Sequence, residues 1–245
     1  MMMNVTMSAG GQVVPFDAPA SILTFESEIT QVDDNGDIHF QMSCTDAEVG
    51  DSTNAPPEVR QVLEAQMQNL VGLGGTMVMD SRGNVKESNF SLPETADPTM
   101  REHFDRVSQS IDRLSTPFPE EAVGMGARWQ IDHALKVNGI ELTQTAIYEL
   151  VSLDNNVATL NMTVEQQAPP QQLESPGLPP GATVTLNSMQ ARGEGQVTIR
   201  LDRLMPEIGT MSLQSNTDMS IVPEGMAQAM PMTSTTMMQM EWQSQ

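Results

Sequence analysis

Methionine is the residue type of this sequence most able to take part in metal chemistry, because thioether sulfur is a ligand for soft metals such as Cu(I). The chain contains 21 methionines. Met238, Met240 and Trp242 share one face of a predicted strand, which would suit a copper site with an aromatic neighbour. Methionine also fills irregular gaps in protein cores, so we interpret these residues as core and keep copper binding as an alternative. Further methionine pairs are Met77/Met79, Met205/Met211 and Met230/Met232.

Histidine and carboxylate side chains lack the spacing of common metal sites. His39, His103 and His133 are far apart and form neither an H-x-H nor an H-x-x-x-H motif. Asp33–Asp37 brings carboxylates close together, as calcium loops do, but lacks the distal glutamate of such a loop. A plain turn is the better interpretation. We expect neither a metal nor a cofactor.

Motifs for nucleophilic catalysis or phosphate binding are missing from the sequence. There is no G-x-S-x-G, Walker or Rossmann motif. The glycines from Gly72 to Gly75 follow a predicted helix, as is typical of a helix C-terminus. The single cysteine, Cys44, alternates with Phe40 and Met42 on an apolar strand face, which indicates an unreactive buried thiol. We therefore predict that the protein is not an enzyme.

The charge of the chain limits its partners. There are 11 basic and 32 acidic residues, and the net charge is −21. Phosphate backbones and anionic membranes would be repelled, so no nucleic-acid partner is expected. No stretch approaches the roughly 18 apolar residues of a membrane span, and residues 1–7 lack the features of a signal peptide. We expect an extracytoplasmic protein, in the periplasm or at the cell surface of a bacterium, whose targeting segment is absent from this chain.

Alternation of apolar and polar residues with a period of two dominates the sequence and predicts β-strands. The strand over 129–137 ends at Asn138-Gly139, a pair that favours the type I′ turn of a hairpin. The next strand reaches Asp154–Asn156, after which a third strand completes an antiparallel meander. We interpret the Pro- and Gln-rich stretch 166–181 as a long loop within a single domain of residues 1–245, since similar strands flank it.

Two segments have the spacing of amphipathic helices instead. The first covers 57–71, behind Pro56-Pro57, and the second covers 98–114, with Asp97 as its N-cap. Each helix must lay its apolar stripe against another element, and the sheet is the obvious partner. We therefore predict a mainly β (α+β) fold. It is a curved antiparallel sheet or half-barrel of about ten strands, with both amphipathic helices on its concave side.

Three short motifs in order resemble those of a family of exported bacterial proteins and lipoproteins that has no assigned activity. They are a D-x-x-G-x-V hairpin at Asp80–Val85, a P-x-x-x-V-G-x-G-x-x-W strand start at Pro119–Trp129, and Y-x-L at Tyr148–Leu150. The resemblance covers roughly 73–221. It implies an architecture similar to lipoprotein-carrier half-barrels, in which a curved sheet wraps helices and encloses acyl chains.

The leading functional hypothesis is a non-catalytic envelope protein that binds an apolar ligand, such as a lipid, or an envelope protein partner. The alternative is a structural or interaction module with a fully packed core. A ligand between sheet and helices would contact apolar side chains from both. The residues predicted to line this site are Met67, Leu70, Met100, Phe104, Val107, Ile111 and Trp129.

The net charge predicts that monovalent salt stabilises the protein. Like charges repel one another in the compact state, and salt screens this repulsion beyond about 8–10 Å. We expect the melting temperature to rise between low and near-physiological salt, and Ca²⁺ and Mg²⁺ at equal ionic strength to raise it equally. A larger shift with Ca²⁺ would assign a cation cage to Asp33–Asp37. A melting temperature that does not change with salt concentration would contradict a charge of −21 spread over a folded surface.

Overall fold

Antiparallel β-structure makes up most of the computed structural model, which describes residues 1–9, 12–50, 57–91, 118–137, 139–173, 183–223, 225 and 228–244. All strand pairings among these residues are antiparallel, which confirms the predicted mainly β class. The elements are β1 (Met2–Ala9), β2 (Gln12–Ala18), β3 (Ser21–Val32), β4 (Ile38–Val49), α1 (Pro57–Gln68), β5 (Gly74–Met79), β6 (Val85–Ser91), β7 (Arg128–Val137), β8 (Ile140–Asp154), β9 (Val157–Ala168), β10 (Gln171–Leu173), β11 (Thr183–Arg200), β12 (Ile208–Val222) and β13 (Met230–Gln243).

Contacts group the chain into two compact units, residues 1–18 with 123–245 and residues 19–122. The first unit holds a nine-stranded sheet in the order β2-β1-β13-β12-β11-β9-β8-β7, with β10 beside β11. The second holds a four-stranded sheet in the order β3-β4-β5-β6. The described strands thus form two sheets where the sequence predicts one. Pro19 lies between β2 and β3 and has no N–H for a sheet ladder. The single domain and the half-barrel stay predictions.

The predicted meander is confirmed as β7, β8 and β9. Val137 pairs with Ile140 across the first turn, where Gly139 has a φ of 83°. At the second turn Asn155 and Asn156 have φ values of 48° and 64°. Turns that suit the twist of a hairpin need positive φ, and asparagine and glycine adopt it most readily. The turn residues in the sequence therefore position this half of the sheet.

The loop predicted for 166–181 begins too early. Residues 166–168 complete β9, where Gln166 pairs with Ala191 and Ala168 with Met189, and Gln171–Leu173 forms β10. The backbone bonds offered by the long neighbour β11 extend these strands despite their loop-like composition. Residues 174–182 lie outside the described part of the chain.

One of the two predicted helices is described, and it lies against β4. The first, predicted over 57–71, runs from Pro57 to Gln68. It ends there because Gly72 has a φ of 86° and donates its N–H to the Cys44 carbonyl at 2.8 Å, so the chain has already turned toward the sheet. The Gln68 side-chain amide also donates to the Ala47 carbonyl at 3.0 Å. The second predicted helix, 98–114, lies outside the described residues.

The core of the nine-stranded sheet lies on one of its faces, which we call the apolar face. Leu160 on β9 and Leu186 on β11 are both 0% exposed there, and Val197 is 1% exposed. A β-bulge between Leu186 and Ser188 adds one residue and interrupts the alternation, so that Leu186 and Met189 lie on the same face. The outward residues of β11 between Asn187 and Gln196 are polar and exposed.

Replacing the central core leucine should destabilise the protein strongly. We expect Leu160→Ala to lower the free energy of unfolding by about 2–5 kcal/mol, through lost burial and the cavity that remains. Leu153→Ala on the neighbouring strand is the control, because Leu153 is 46% exposed and surface changes stay within about 0.5 kcal/mol. Urea denaturation of both variants provides the measurement. Equal losses would mean that Leu160 is not at the centre of the core.

Candidate functional site

The apolar face is built in rows, because directly paired residues of antiparallel strands point to the same side of a sheet. One row runs from Trp129 through Tyr148 and Met162 to Gly195, and continues through Met211 to Met240. We call it the methionine row. The Trp129 and Tyr148 rings stack with centroids 5.6 Å apart and planes inclined by 19°. Aromatic rings thus close one end of a row that is otherwise lined by thioethers and a glycine.

A polar row crosses the same face. It consists of His133, Gln144, Gln166, Ser215 and Thr236, with Ala191 between the glutamine and the serine. The Gln166 amide donates to the Gln144 side-chain oxygen at 2.7 Å, which satisfies one polar pair on a face that is mainly apolar. The row separates the methionine row from a second apolar cluster around Leu135, Leu142 and Leu186.

Many apolar side chains of this face remain half-buried. Met162 and Met189 are examples on central strands, and Trp129 and Ile131 are examples on the edge strand β7. Met219, Met232, Met238 and Met240 extend the same pattern across β12 and β13. A face with this much accessible thioether and aliphatic surface is able to contact a further apolar group.

A small pocket lies where β12 begins and β13 ends. It has a volume of about 170 Å³. Trp242 covers Gly209 so closely that a Cβ at Gly209 would overlap the indole. Sequence reasoning missed this contact, since the partner of Trp242 becomes known only from the register of β12 with β13. The lining residues are Ile208, Gly209, Thr210, Glu241, Trp242 and Gln243.

The residues predicted to line a ligand site fall into separate parts of the chain. In the unit 19–122, Met67 is buried and Leu70 is half-buried. Trp129 belongs to the other unit, where it stacks on Tyr148. The remaining four, Met100, Phe104, Val107 and Ile111, lie outside the described residues. Of the three described residues, Trp129 lies on the apolar face.

In the unit 19–122, charged side chains gather at the β3–β4 turn. Lys86 Nζ lies 2.7 Å from both carboxylate oxygens of Asp37, and His39 Nε2 lies 2.8 Å from Asp33 Oδ2. The hydrogen bond from Lys86 holds the pKa of Asp37 below its ordinary value, against the opposing effect of burial. The hydrogen bond with His39 likewise lowers the pKa of Asp33. The Gly36 N–H donates to the Asp33 carbonyl at 2.9 Å, so Asp33–Asp37 forms the expected turn.

Other candidate chemistry is limited in the described residues. Burial raises the pKa of the Cys44 thiol, whose sulfur lies 3.5 Å from the Asp46 carbonyl, consistent with the expected buried thiol. Across the described ranges, no three His, Cys, Asp or Glu side chains come together as metal ligands. No helix in this part of the chain is both long and apolar enough to cross a membrane.

The Asp37–Lys86 pair predicts a specific dependence of stability on pH. A carboxyl whose folded pKa lies below its ordinary 3.8 contributes its full stabilisation above that ordinary value, and loses it as the pH falls from there through the lower folded pKa. We expect Lys86→Met to lower stability at pH 7 and to flatten the loss of stability below about pH 4. The measurement is the free energy of unfolding from neutral to acid pH. Lys136→Met is the control, since Lys136 is exposed and 4.0 Å from its partner Glu141; two identical pH profiles would contradict the assignment.

Comparison with protein families, curated proteins and solved structures finds no match to this chain. Its function must therefore be inferred from its own residues.

Proposed function

We propose that this protein is a non-catalytic binding protein of the bacterial cell envelope that holds an apolar molecule, such as a lipid acyl chain, on the apolar face. The observation that carries the proposal is the half-buried state of the apolar side chains there, with Met189 and Met219 as central examples. An apolar ligand would remove this surface from water at about 25 cal/mol per Å². Methionine suits the role because its flexible side chain adapts to ligands of different shape.

The polar row gives the proposed ligand a second point of contact. Gln144 and Gln166 share one hydrogen bond, which leaves further amide donor and acceptor capacity. Four of the five polar side chains in this row are amides or hydroxyls, which hydrogen-bond without transferring protons near neutral pH, so the row suits binding better than catalysis. An amphipathic molecule with an ester or hydroxyl group near its chain would satisfy both the apolar and the polar rows.

The proposal includes a curved, half-barrel form of the sheet and a cellular location. The strongly acidic composition and the resemblance to exported proteins support a location outside the cytoplasm. Fractionation of the host cell with an antibody against the chain would test the location.

A second candidate function, a protein-interaction module, is favoured by β3. This strand lies at an edge of the four-stranded sheet, and Leu23, Phe25 and Ile29 on it are 40%, 43% and 51% exposed. Edge strands with exposed apolar side chains are able to pair with another chain. If the protein is an interaction module of this kind, the apolar face binds no ligand.

The two candidates differ in whether the apolar face takes up a lipid. We expect a fluorescent polyene fatty acid to bind the wild-type chain and to be displaced by an unlabelled one. Met189→Glu places a charge on the apolar face and should weaken binding about tenfold or more, because the charge must be buried beneath the ligand. The matched control is Ser188→Glu, which adds the same charge to the opposite face of β11.

Thermal melting of both variants separates a loss of binding from a loss of folding. If Met189→Glu is folded and binds the probe as well as Ser188→Glu does, the apolar face is not the binding site. If the wild-type chain binds no fatty acid at all, the interaction module is the better account.

A further inference from the structure

Strand β7 lies at one end of the nine-stranded sheet, with β8 on one side and no described strand on the other. It pairs with β8 along its whole length, from Arg128 to Val137, without a register shift. The strands at the other ends of the two described sheets are less regular. Strand β2 contains Pro15, β3 has two register shifts against β4, and β6 has one against β5. Proline and bulges limit the pairing of an edge strand, so β7 is the described edge best suited to continue its ladder.

The backbone groups on the open side of β7 are identified by its neighbour. Glu141 on β8 donates its N–H to the Gln171 side-chain oxygen at 2.8 Å, and its carbonyl accepts from the Gln171 side-chain amide at 2.8 Å. Both backbone groups of Glu141 thus point away from β7, so Glu141 and its partner Lys136 form a non-hydrogen-bonded pair. Because such pairs alternate with hydrogen-bonded ones, the even-numbered residues of β7 direct their N–H and C=O groups to the open edge.

The side chains of these even-numbered residues are self-complementary in charge. Asp132 and Lys136 lie on the polar face of β7, with Ala134 between them. In an antiparallel pair of β7 strands with Ala134 opposite Ala134, Asp132 of each copy lies opposite Lys136 of the other. The even-numbered residues then face one another, as the exchange of backbone hydrogen bonds requires.

Other registers fit less well. A pair centred on Asp132 would place like charges directly opposite each other, which is destabilising. A pair centred on Gln130 would match Arg128 with Asp132, but the strands would overlap over 128–132 only, instead of over 131–137. The register centred on Ala134 therefore combines matched charges with the longer overlap.

Both charged side chains retain capacity for a partner. Asp132 accepts hydrogen bonds from Thr145 Oγ1 at 2.6 Å and from the Gln130 amide at 2.8 Å, and a carboxylate has about four acceptor positions. The Lys136 ammonium is 4.0 Å from Glu141, and its side chain is 61% exposed. A lysine held this loosely is able to turn to a carboxylate across the edge.

The apolar side of β7 fits the same register. Ile131 of each copy lies opposite Val137 of the other, and both side chains are half-buried in the single chain. His133 lies opposite Leu135. Paired residues of antiparallel strands point to the same side of a sheet, so the apolar faces of the two copies would continue one another.

We propose that two copies of this chain pair through β7 in an antiparallel, two-fold symmetric dimer centred on Ala134, with two Asp132–Lys136 ion pairs across the edge. A lysine on an edge strand discourages pairing with an unrelated strand, but here an identical strand supplies its counter-charge. The interface is one short strand from each copy, so the dimer is weak and forms reversibly. It does not depend on the proposed binding of an apolar molecule.

The test is sedimentation velocity of the full chain from about 1 µM to about 1 mM, the range in which weak association is measured. We expect the wild-type dimer fraction to rise with concentration. Asp132→Lys and Lys136→Asp each place like charges opposite each other twice, and each should weaken the dimer about tenfold or more. The double variant Asp132→Lys/Lys136→Asp restores both ion pairs and should return the affinity to within about threefold of wild type.

A mixture of the two single variants tests the antiparallel register directly. One variant then carries two lysines on β7 and the other two aspartates, so every position is matched between unlike chains. The equimolar mixture should associate about tenfold or more tightly than either variant alone. The matched control is Glu194→Lys, which makes the same change of charge on the polar face of the central strand β11 and should leave the affinity within about twofold. Thermal melting confirms that each variant is folded.

A cross-link provides a second, independent readout. Ala134→Cys places one thiol on the two-fold axis, where hydrogen-bonded partners have Cα atoms about 5.5 Å apart, within the range of a disulfide. Mild oxidation should therefore give a covalent dimer. Thr143→Cys, on the neighbouring strand directly beside Ala134, is the control and should not cross-link.

Three results would each overturn the proposal. They are a wild-type chain that stays monomeric over the whole concentration range, equal weakening by Asp132→Lys and Glu194→Lys, and a mixture of the single variants that associates no better than its components. Equal cross-linking of Ala134→Cys and Thr143→Cys would show collision in solution instead of pairing through β7, and would also contradict it.

Discussion

The register of β11 with β9 on one side and β12 on the other controls the organisation of the nine-stranded sheet. Side chains alternate along a strand, so a slip of one residue would move Gly193 and Gly195 to the outer face and bring Arg192 and Glu194 inward. Both neighbours share this register over most of an 18-residue strand. The many backbone hydrogen bonds of a strand of this length therefore maintain the rows of the apolar face.

The apolar face is tightly packed in one part and partly accessible to solvent in another. Where Leu160 and Val197 meet, the side chains are fully enclosed and the sheet gains most of its burial energy. At Gly193 and Gly195 the neighbouring strand β12 comes so close that a Cβ would overlap the backbone carbonyl oxygens of Ser212 and Thr210. The accessible apolar surface lies elsewhere on the face, where methionines such as Met189 and Met219 are half-buried and have flexible side chains.

The unit of residues 19–122 depends more on polar contacts at its turns. Asp80 accepts hydrogen bonds from the backbone N–H groups of Arg82 and Asn84, both at 2.9 Å, and closes the β5–β6 turn. Burial raises the pKa of Asp80, but these bonds and the one from the Asn84 side chain outweigh it and lower the pKa. Together with Asp37 and Lys86, they tie the two turns of this sheet to specific backbone conformations.

Local patterns in the sequence determined which residues form strands, where Gly139 and Asn155 turn the chain, and that Met238, Met240 and Trp242 share a face, because each of these depends on neighbours within a few residues. They did not predict that Gln166 continues a strand or that α1 stops at Gln68, since in both cases a distant strand supplies the competing hydrogen bonds. Only the tertiary structure decided that Met162 and Met211 are the two direct partners of Gly195. Pairing between β9, β11 and β12 joins residues far apart in the chain, and the period of two within each strand carries no information about its partner.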